Sequence, residues 1–137
     1  PPAAAAPPPP EPVIPVPKSD FDRVSTVAGT GNAGHHDGDI RSATFVDPCG
    51  LVTDSAGNIF VVDAGNHSIR KISVSGEVST LCGTGKPNYA DGKGHAAAFN
   101  FPCGLAIGAD GTLYVCDSCN HRVRTVTPGG EVRTLAG

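Results

Sequence analysis

A 54-residue internal repeat constrains the fold of this chain more than any other feature. Residues 24–77 align without a gap on residues 78–131, and 22 of the 54 positions are identical. A third, partial copy begins at Val132 and runs to Gly137. Repeats of this length are typical of architectures in which one supersecondary unit stacks on the next. We therefore expect two similar units rather than one irregular core.

Each unit is predicted to form four short strands. The predicted strands are 50–54, 59–63, 68–73 and 78–82, then 104–108, 113–117, 122–127 and 132–136. Short connections rich in Gly, Asp and Ser predict antiparallel hairpins. The first two strands are apolar on both faces and the third alternates, so burial should be greatest at the first strand and least at the last. This gradient is typical of all-β, four-stranded β-propeller blades with the inner strand first.

Composition excludes some classes of partner. The chain has 137 residues, with 10 Lys and Arg against 13 Asp and Glu, for a formal net charge of -3. This charge gives no basic surface for nucleic acid. No apolar run approaches the roughly 18 residues of a membrane-spanning helix, so we expect no membrane insertion. Because the first residue is Pro1 and not Met, we expect a processed or partial chain.

The repeated residues resemble the NHL-repeat family. Its pattern is Pro-x-Gly-aliphatic, then Asp-x-x-Gly-x-aliphatic-aromatic-Val, then Asp-x-x-Asn-x-x-aliphatic-Arg. The chain departs from it at Gly108, where Asp is expected, and at Ser68, where Arg is usual. The matching residues are Pro48, Gly50, Gly57, Phe60, Val61, Asp63, Asn66, Ile69 and Arg70, and then Pro102, Gly104, Gly111, Tyr114, Val115, Asp117, Asn120, Val123 and Arg124.

The resemblance implies a β-propeller, commonly with six blades. This chain would supply two four-stranded blades, with 132–137 completing the second, plus one extra outer strand at Val24–Gly29. Two blades do not close a ring, and each would leave an apolar face open to association. We therefore expect either a piece of a longer propeller or copies that complete each other as a ring or a filament.

The first 20 residues differ from the domain at 21–137. They begin PPAAAAPPPPEPVIPVP, which predicts an extended polyproline II arm or linker. The Ala and Pro mixture resembles the hydroxyproline-rich segments of plant and green-algal wall glycoproteins. That resemblance implies hydroxyproline-linked O-glycans, and the candidate positions are Pro7, Pro8, Pro9, Pro10, Pro12, Pro15 and Pro17.

The five cysteines leave several alternatives open. Haem attachment is disfavoured because Asn120 follows the Cys116–Cys119 pair where His is required. A thioredoxin-type redox pair needs a βα context, and structural zinc needs further ligands beyond His121. A disulfide from Cys103 to Cys116 or Cys119 across the hairpin is favoured. Cys49 and Cys82 are expected to be small buried fillers.

The remaining polar candidates each have a structural interpretation beside a functional one. Asp63, Asn66, Asp117 and Asn120 recur in the repeat and are predicted to cap turns. Asn66 also begins an Asn-His-Ser sequon, a candidate for N-glycosylation. Arg70 and Arg124 are expected to pair with the aspartates. The cluster of His35, His36, Asp37 and Asp39 is interpreted as a solvated loop rather than a metal site.

These observations favour a non-catalytic structural or interaction module with no cofactor. The first hypothesis is an extracellular or cell-surface glycoprotein subunit that assembles with itself. The alternatives are a fragment of an intracellular, cytoplasmic scaffold that recruits protein partners, as in ubiquitin-ligase relatives, and a piece of a propeller lyase or hydrolase. No set of nucleophile and base, phosphate loop or metal ligands stands out from the repeat pattern.

Overall fold

A computed structural model describes residues 24–137 as two antiparallel five-stranded sheets. The predicted arm at 1–20 and its candidate O-glycosylation prolines lie outside the described residues. Sheet one contains β1 (Gly38–Asp39), β2 (Pro48–Thr53), β3 (Ile59–Asp63), β4 (Ser68–Ile72) and β5 (Glu77–Cys82), in the order β1-β5-β4-β3-β2. Sheet two contains β6 (Gly92–Lys93), β7 (Pro102–Ile107), β8 (Leu113–Asp117), β9 (Arg122–Val126) and β10 (Glu131–Ala136), in the order β6-β10-β9-β8-β7.

The repeat prediction is confirmed, with two corrections to the strands. Each sheet has a fifth, two-residue strand, because the long loop pairs briefly with the outer strand, as in Gly38 with Val78. The predicted outer strand at Val24–Gly29 is not formed. Instead, the Gly29 amide donates to the Ile40 carbonyl at 2.9 Å, so this segment lies against the loop.

Local sequence explains the hairpins. Between β2 and β3, the Asp54 carboxylate accepts hydrogen bonds from the backbone amides of Ala56 and Asn58 at 3.0 and 2.9 Å. Gly57 follows with a φ of 91°, a conformation that favours glycine. After β3 and β8, single 3₁₀ turns at Ala64–Asn66 and Ser118–Asn120 lead to His67 and His121 in the left-handed conformation.

The two sheets pack face to face around the larger of two apolar clusters. We call the side of each sheet that carries Ile59 and Val61, or Leu113 and Val115, its front face, and the opposite side its back face. The back face of sheet one meets the front face of sheet two. The buried side chains there are Phe60, Val62, Ile69, Cys82, Leu113, Val115, Val126 and Val132, with Ala64, Ala97 and Phe99.

The predicted burial gradient is wrong for this chain. The first full strand, β2, is largely exposed, with Leu51 at 62% exposure, whereas β3 and β4 are almost wholly buried. The reason is that β2 lies at the inner edge, where its neighbour within the chain is β7. Within the described residues, β2 and β7 are the edge strands of their sheets at this inner side.

Candidate functional site

Each repeat contains a buried cluster built around one aspartate. In the first repeat, Asp63 accepts hydrogen bonds from the Val46 backbone amide, the Asn66 side-chain amide and the Arg70 guanidinium at 2.7, 2.8 and 2.6 Å. Asp63 and Arg70 are both 0% exposed. Because its two oxygens are occupied by structural donors, Asp63 holds the preceding loop, the turn and β4 together.

The second repeat reproduces the cluster. Asp117 accepts from the Asn100 backbone amide at 2.9 Å, from the Asn120 side chain at 2.8 Å and from Arg124 at 2.7 Å. Neither Asp63 nor Asp117 makes a side-chain hydrogen bond to the backbone of its own turn. The predicted turn-capping role is therefore corrected for the two aspartates, because each carboxylate reaches backbone 17 residues upstream. Asn66 and Asn120 do span the turns, through their side-chain bonds to Asp63 and Asp117. The predicted pairing of aspartate with arginine is confirmed.

A second carboxylate extends each cluster to the outer strand. Asp91 pairs with Arg124 at 2.8 Å and also accepts from the Thr134 hydroxyl at 3.1 Å. Partial burial acts to raise the pKa of Asp91, but hydrogen bonds from Arg124 and Thr134 outweigh it and lower that pKa. Asp37 makes the equivalent contacts with Arg70 and Thr80. The recurrence of Asp37 as Asp91 was the sequence signal for this role.

The histidine-rich loop is organised around that ion pair. His36 contributes its carbonyl oxygen to Arg70 at 2.9 Å, and His35 Nε2 lies 3.3 Å from the Thr80 hydroxyl. Burial, together with the charge of Arg70, lowers the pKa of His35. Within residues 24–137, no group of three or more His, Cys, Asp or Glu side chains comes together as a metal-holding set.

The Asn66 side chain of the sequon is buried and hydrogen-bonded in the folded chain. The side-chain nitrogen of Asn66 donates to the Gly34 carbonyl and to Asp63, each at 2.8 Å, and the residue is 8% exposed. A glycan would have to be attached to this same nitrogen. Glycosylation at Asn66 is therefore incompatible with the folded arrangement, because the glycan would replace one of these hydrogen bonds and enter a packed region.

The cysteines do not form the predicted disulfide. All five lie in the described part of the chain and are free thiols. Cys103 lies in a bulge between Pro102 and Gly104, and its sulfur contacts the Ser118 hydroxyl at 2.6 Å instead of Cys116 or Cys119. Cys82 is fully buried as predicted, and burial raises its pKa to about 12. The expectation for Cys49 is wrong, because this residue is exposed at the bulge of β2.

The back face of sheet two presents accessible apolar side chains. The repeat places Tyr114, Cys116, Val123 and Ala136 at the positions of Phe60, Val62, Ile69 and Cys82. The four residues of sheet one are 0–4% exposed beneath sheet two. In sheet two, by contrast, Tyr114 is 39% exposed, Cys116 and Ala136 are exposed, and Val123 is partly exposed.

At the opposite end of the molecule, the front face of sheet one is only partly covered: Ile72 and Val78 are buried beside Phe45, whereas Leu51 is 62% exposed. An apolar cavity of about 260 Å³ lies there, bounded by Val27, Phe45, Leu51, Ile59 and Ile72 among others. The matching surface of sheet two, with Leu105 and Leu113, packs against the core between the sheets. The described chain therefore has two unlike open faces, and its internal interface joins one face of each type.

Comparison with known proteins agrees with this geometry. The NHL-repeat family model matches residues 45–72 and 99–132. The chain is 37% identical over 94 residues to Protein SUPPRESSOR OF QUENCHING 1, chloroplastic, of Arabidopsis thaliana, covering 68% of this chain and 9% of that protein. It is 34% identical over 97 residues to human NHL repeat-containing protein 2, covering 68% and 13%. The chain thus spans about a tenth of the length of these relatives.

Solved structures support the fold alone. The crystal structure described as a putative phosphatase from Bacteroides thetaiotaomicron superposes with a TM-score of 0.62 at 24% identity, covering 73% of this chain and 25% of that chain. Among residues 24–137, no helix is long and apolar enough to cross a membrane. The sheets, the repeated clusters and the family match agree: this chain contains NHL repeats, folded as two blades of β-propeller type.

Proposed function

We propose that this chain is a non-catalytic interaction module whose two open faces are covered by further NHL blades, supplied by copies of itself. The observation that carries the proposal is the repeat relation between the faces. The back face of sheet two presents at Tyr114 and Val123 the positions that sheet one buries as Phe60 and Ile69. A second copy can therefore pack its sheet one on that face in the way sheet two packs within the chain.

Such a contact is head to tail. The two surfaces that meet are different, so each copy keeps one free face of each type until a ring closes or a filament grows. Covering the exposed apolar side chains of the back face of sheet two favours this contact, because removing apolar surface from water is favourable by about 25 cal/mol per Å².

The proposal of a non-catalytic role is supported by how the acidic side chains are used. Asp63 and Asp117 are buried and hydrogen-bonded to arginine, asparagine and backbone amides. A general acid or base has to exchange a proton with a substrate within hydrogen-bond reach. These two carboxylates are enclosed by structural donors, so their recurrence is explained by blade assembly.

An extracellular or cell-surface location is the corresponding proposal for the environment. Its support is the proline-rich segment at 1–17 together with the five cysteines. Intact mass before and after chemical deglycosylation tests it. Added pentose or hexose on hydroxyproline supports the proposal, and a chain with unmodified prolines from its natural source refutes it.

Self-assembly is tested by sedimentation velocity over a concentration series. Val123→Asp places a charge on the back face of sheet two, and Leu51→Asp does so on the front face of sheet one. Either variant should shift the assembled species toward lower mass. Ala109→Asp, at an exposed turn, adds the same charge as a matched control and should leave the distribution unchanged.

Mixing the two face variants gives the decisive result. Each variant keeps one intact face of the opposite type, so an equimolar mixture should form a dimer that grows no further. A wild-type chain that remains a folded monomer at all concentrations refutes the proposal. Assembly of Val123→Asp at the wild-type level also refutes it, because the back face of sheet two would then not be the contact.

A further inference from the structure

The inner strands of the two blades bring one exposed cysteine from each repeat together. Cys49 and Cys103 are 54 positions apart and therefore equivalent in the repeat. The Cys49 sulfur lies 3.3 Å from the Cys103 carbonyl oxygen and 3.8 Å from that of Pro102. Both thiols are exposed.

The backbones of β2 and β7 approach each other closely beside the two cysteines. A methyl group built on Gly50, the neighbour of Cys49, would stand 3.5 Å from the Cys103 carbonyl oxygen. Disulfides require the two Cα atoms to lie within about 7 Å. The two cysteines also occupy bulges, between Pro48 and Gly50 and between Pro102 and Gly104, and bulges change the direction of side chains at a strand edge.

The register of sheet two separates Cys116 from this pair. Gly104 is paired with Cys116, and a methyl group on Gly104 would lie 3.2 Å from the Cys116 sulfur, so these two positions share the back face. Cys103 precedes Gly104, and its carbonyl oxygen contacts the other blade. The Cys103 backbone thus contacts Cys49 of the other blade, whereas the Cys116 sulfur lies beside Gly104.

We propose that Cys49 and Cys103 form a dithiol site that is oxidised by small-molecule disulfides to a bond joining the two blades. The exposed Cys103 thiolate, to which the Ser118 hydroxyl is positioned to donate, attacks oxidised glutathione and releases one glutathione thiolate. The Cys49 thiolate then attacks the Cys103 sulfur and releases the second. Two protein thiols lose their protons and two electrons, and one oxidised glutathione becomes two reduced molecules.

The assignment of the first attack to Cys103 agrees with the surroundings of Cys49. Burial raises the pKa of the Cys49 thiol, and the Cys103 thiolate and the nearby carboxylates of Asp47 and Asp63 act in the same direction. A thiol with a raised pKa is a smaller source of thiolate, so Cys49 suits the second, intramolecular step.

The test uses the full 137-residue chain, incubated at low protein concentration in glutathione buffers of increasing oxidised fraction. After quenching, the thiols titrated in denaturant should fall from five to three. Non-reducing peptide mapping should find Cys49 linked to Cys103 in a species of monomer mass. The variant Cys49→Ser should lose this link, and the double variant Cys116→Ser/Cys119→Ser should retain it.

Several results overturn the proposal. A link from Cys103 to Cys116 or Cys119 in the wild-type chain would show that the hairpin pairing is preferred. Cys103 that stays joined to glutathione while Cys49 remains a free thiol would show that the second step does not occur. A Cys49–Cys103 link found only in species of dimer mass would show that the contact joins copies instead of blades.

Discussion

Replacing Asp117 by alanine should remove one of the main stabilising interactions of the second blade. Asp117 is 0% exposed and is bonded to Arg124, which is also 0% exposed. Breaking a buried ion pair by removing one partner costs about 3–5 kcal/mol, because it leaves a charge without compensation. Arg124 keeps Asp91, but that carboxylate is 47% exposed, and the Asn100 amide loses its acceptor altogether. We therefore expect a loss of about 3 kcal/mol or more.

Urea unfolding followed by circular dichroism measures this loss. With an m-value of about 2 kcal/mol per M, the midpoint should fall by about 1.5 M or more. The matched control is Arg133→Ala, which breaks the exposed pair with Glu131 at 2.7 Å. Exposed pairs contribute about 0–1 kcal/mol, so this midpoint should scarcely move.

A double variant separates charge from packing. In Asp117→Ala/Arg124→Met the buried charge is also removed, and part of the lost stability should return. If Asp117→Ala unfolds within about 0.5 M of the wild-type midpoint, the buried pair is not a main source of stability. If Arg124→Met lowers the free energy of unfolding by the same amount in the Asp117→Ala background as in the wild-type chain, the two residues do not act as a pair.

Three further predictions concern pH, thiol access and backbone geometry. Burial lowers the pKa of His67 below 6.5, although the charge of Asp117 acts in the opposite direction. The free energy of unfolding should therefore be highest above pH 6.5 and fall as the pH drops below it. His67→Asn should make that fall smaller in urea titrations. Cys82, with a pKa of about 12, should react with Ellman's reagent only on unfolding, whereas the four exposed cysteines react in the native chain. Gly83→Ala should cost at least about 3 kcal/mol in urea unfolding, because its φ is 110° and the new methyl would stand 2.5 Å from the His67 carbonyl oxygen.

Each of these predictions has a matched control. His121→Asn changes the equivalent histidine, which is exposed, and an equal effect of both variants would contradict the role of His67. Native reaction of all five thiols at one rate would contradict the burial of Cys82. Gly31 also has a positive φ, 86°, but a methyl group there would meet no atom within 4 Å. Gly31→Ala should therefore lower the free energy of unfolding less than Gly83→Ala. Equal losses would mean that backbone strain explains both effects without the steric clash at Gly83.

The internal repeat allowed the fold to be predicted from the sequence, whereas the burial of individual strands was harder to predict. The strand cores and hairpin turns follow from alternation and turn residues, so 59–63 and 113–117 are strands as predicted. The exposure of β2 was missed because apolar composition does not reveal how many sheets surround an axis. Leu51 and Leu105 are equivalent in sequence, yet Leu51 is 62% exposed and Leu105 packs against the core.

For the site residues too, the sequence identified the residues themselves but not their contacts. The sequence singled out Asp63 and Asn66 by recurrence, but their acceptors and donors lie up to 32 residues away, beyond any local motif. The bulge at Cys103 was also invisible, because one extra residue in a strand changes which face a side chain occupies. The expected register differs from the observed one, which pairs Gly104 with Cys116, although the Cys103 side chain still lies against Ser118.

The hydrogen bond of the Phe101 backbone amide crosses between the blades, so deuterium exchange at this amide reports their separation. The Phe101 backbone amide donates to Nδ1 of His67 at 2.9 Å, although Phe101 belongs to the second repeat and His67 to the first. An amide exchanges with solvent deuterium only when its hydrogen bond opens. If the Phe101 amide exchanges faster than the amides within β8 and β9, its exchange rate therefore measures how often the two blades separate while each blade stays folded.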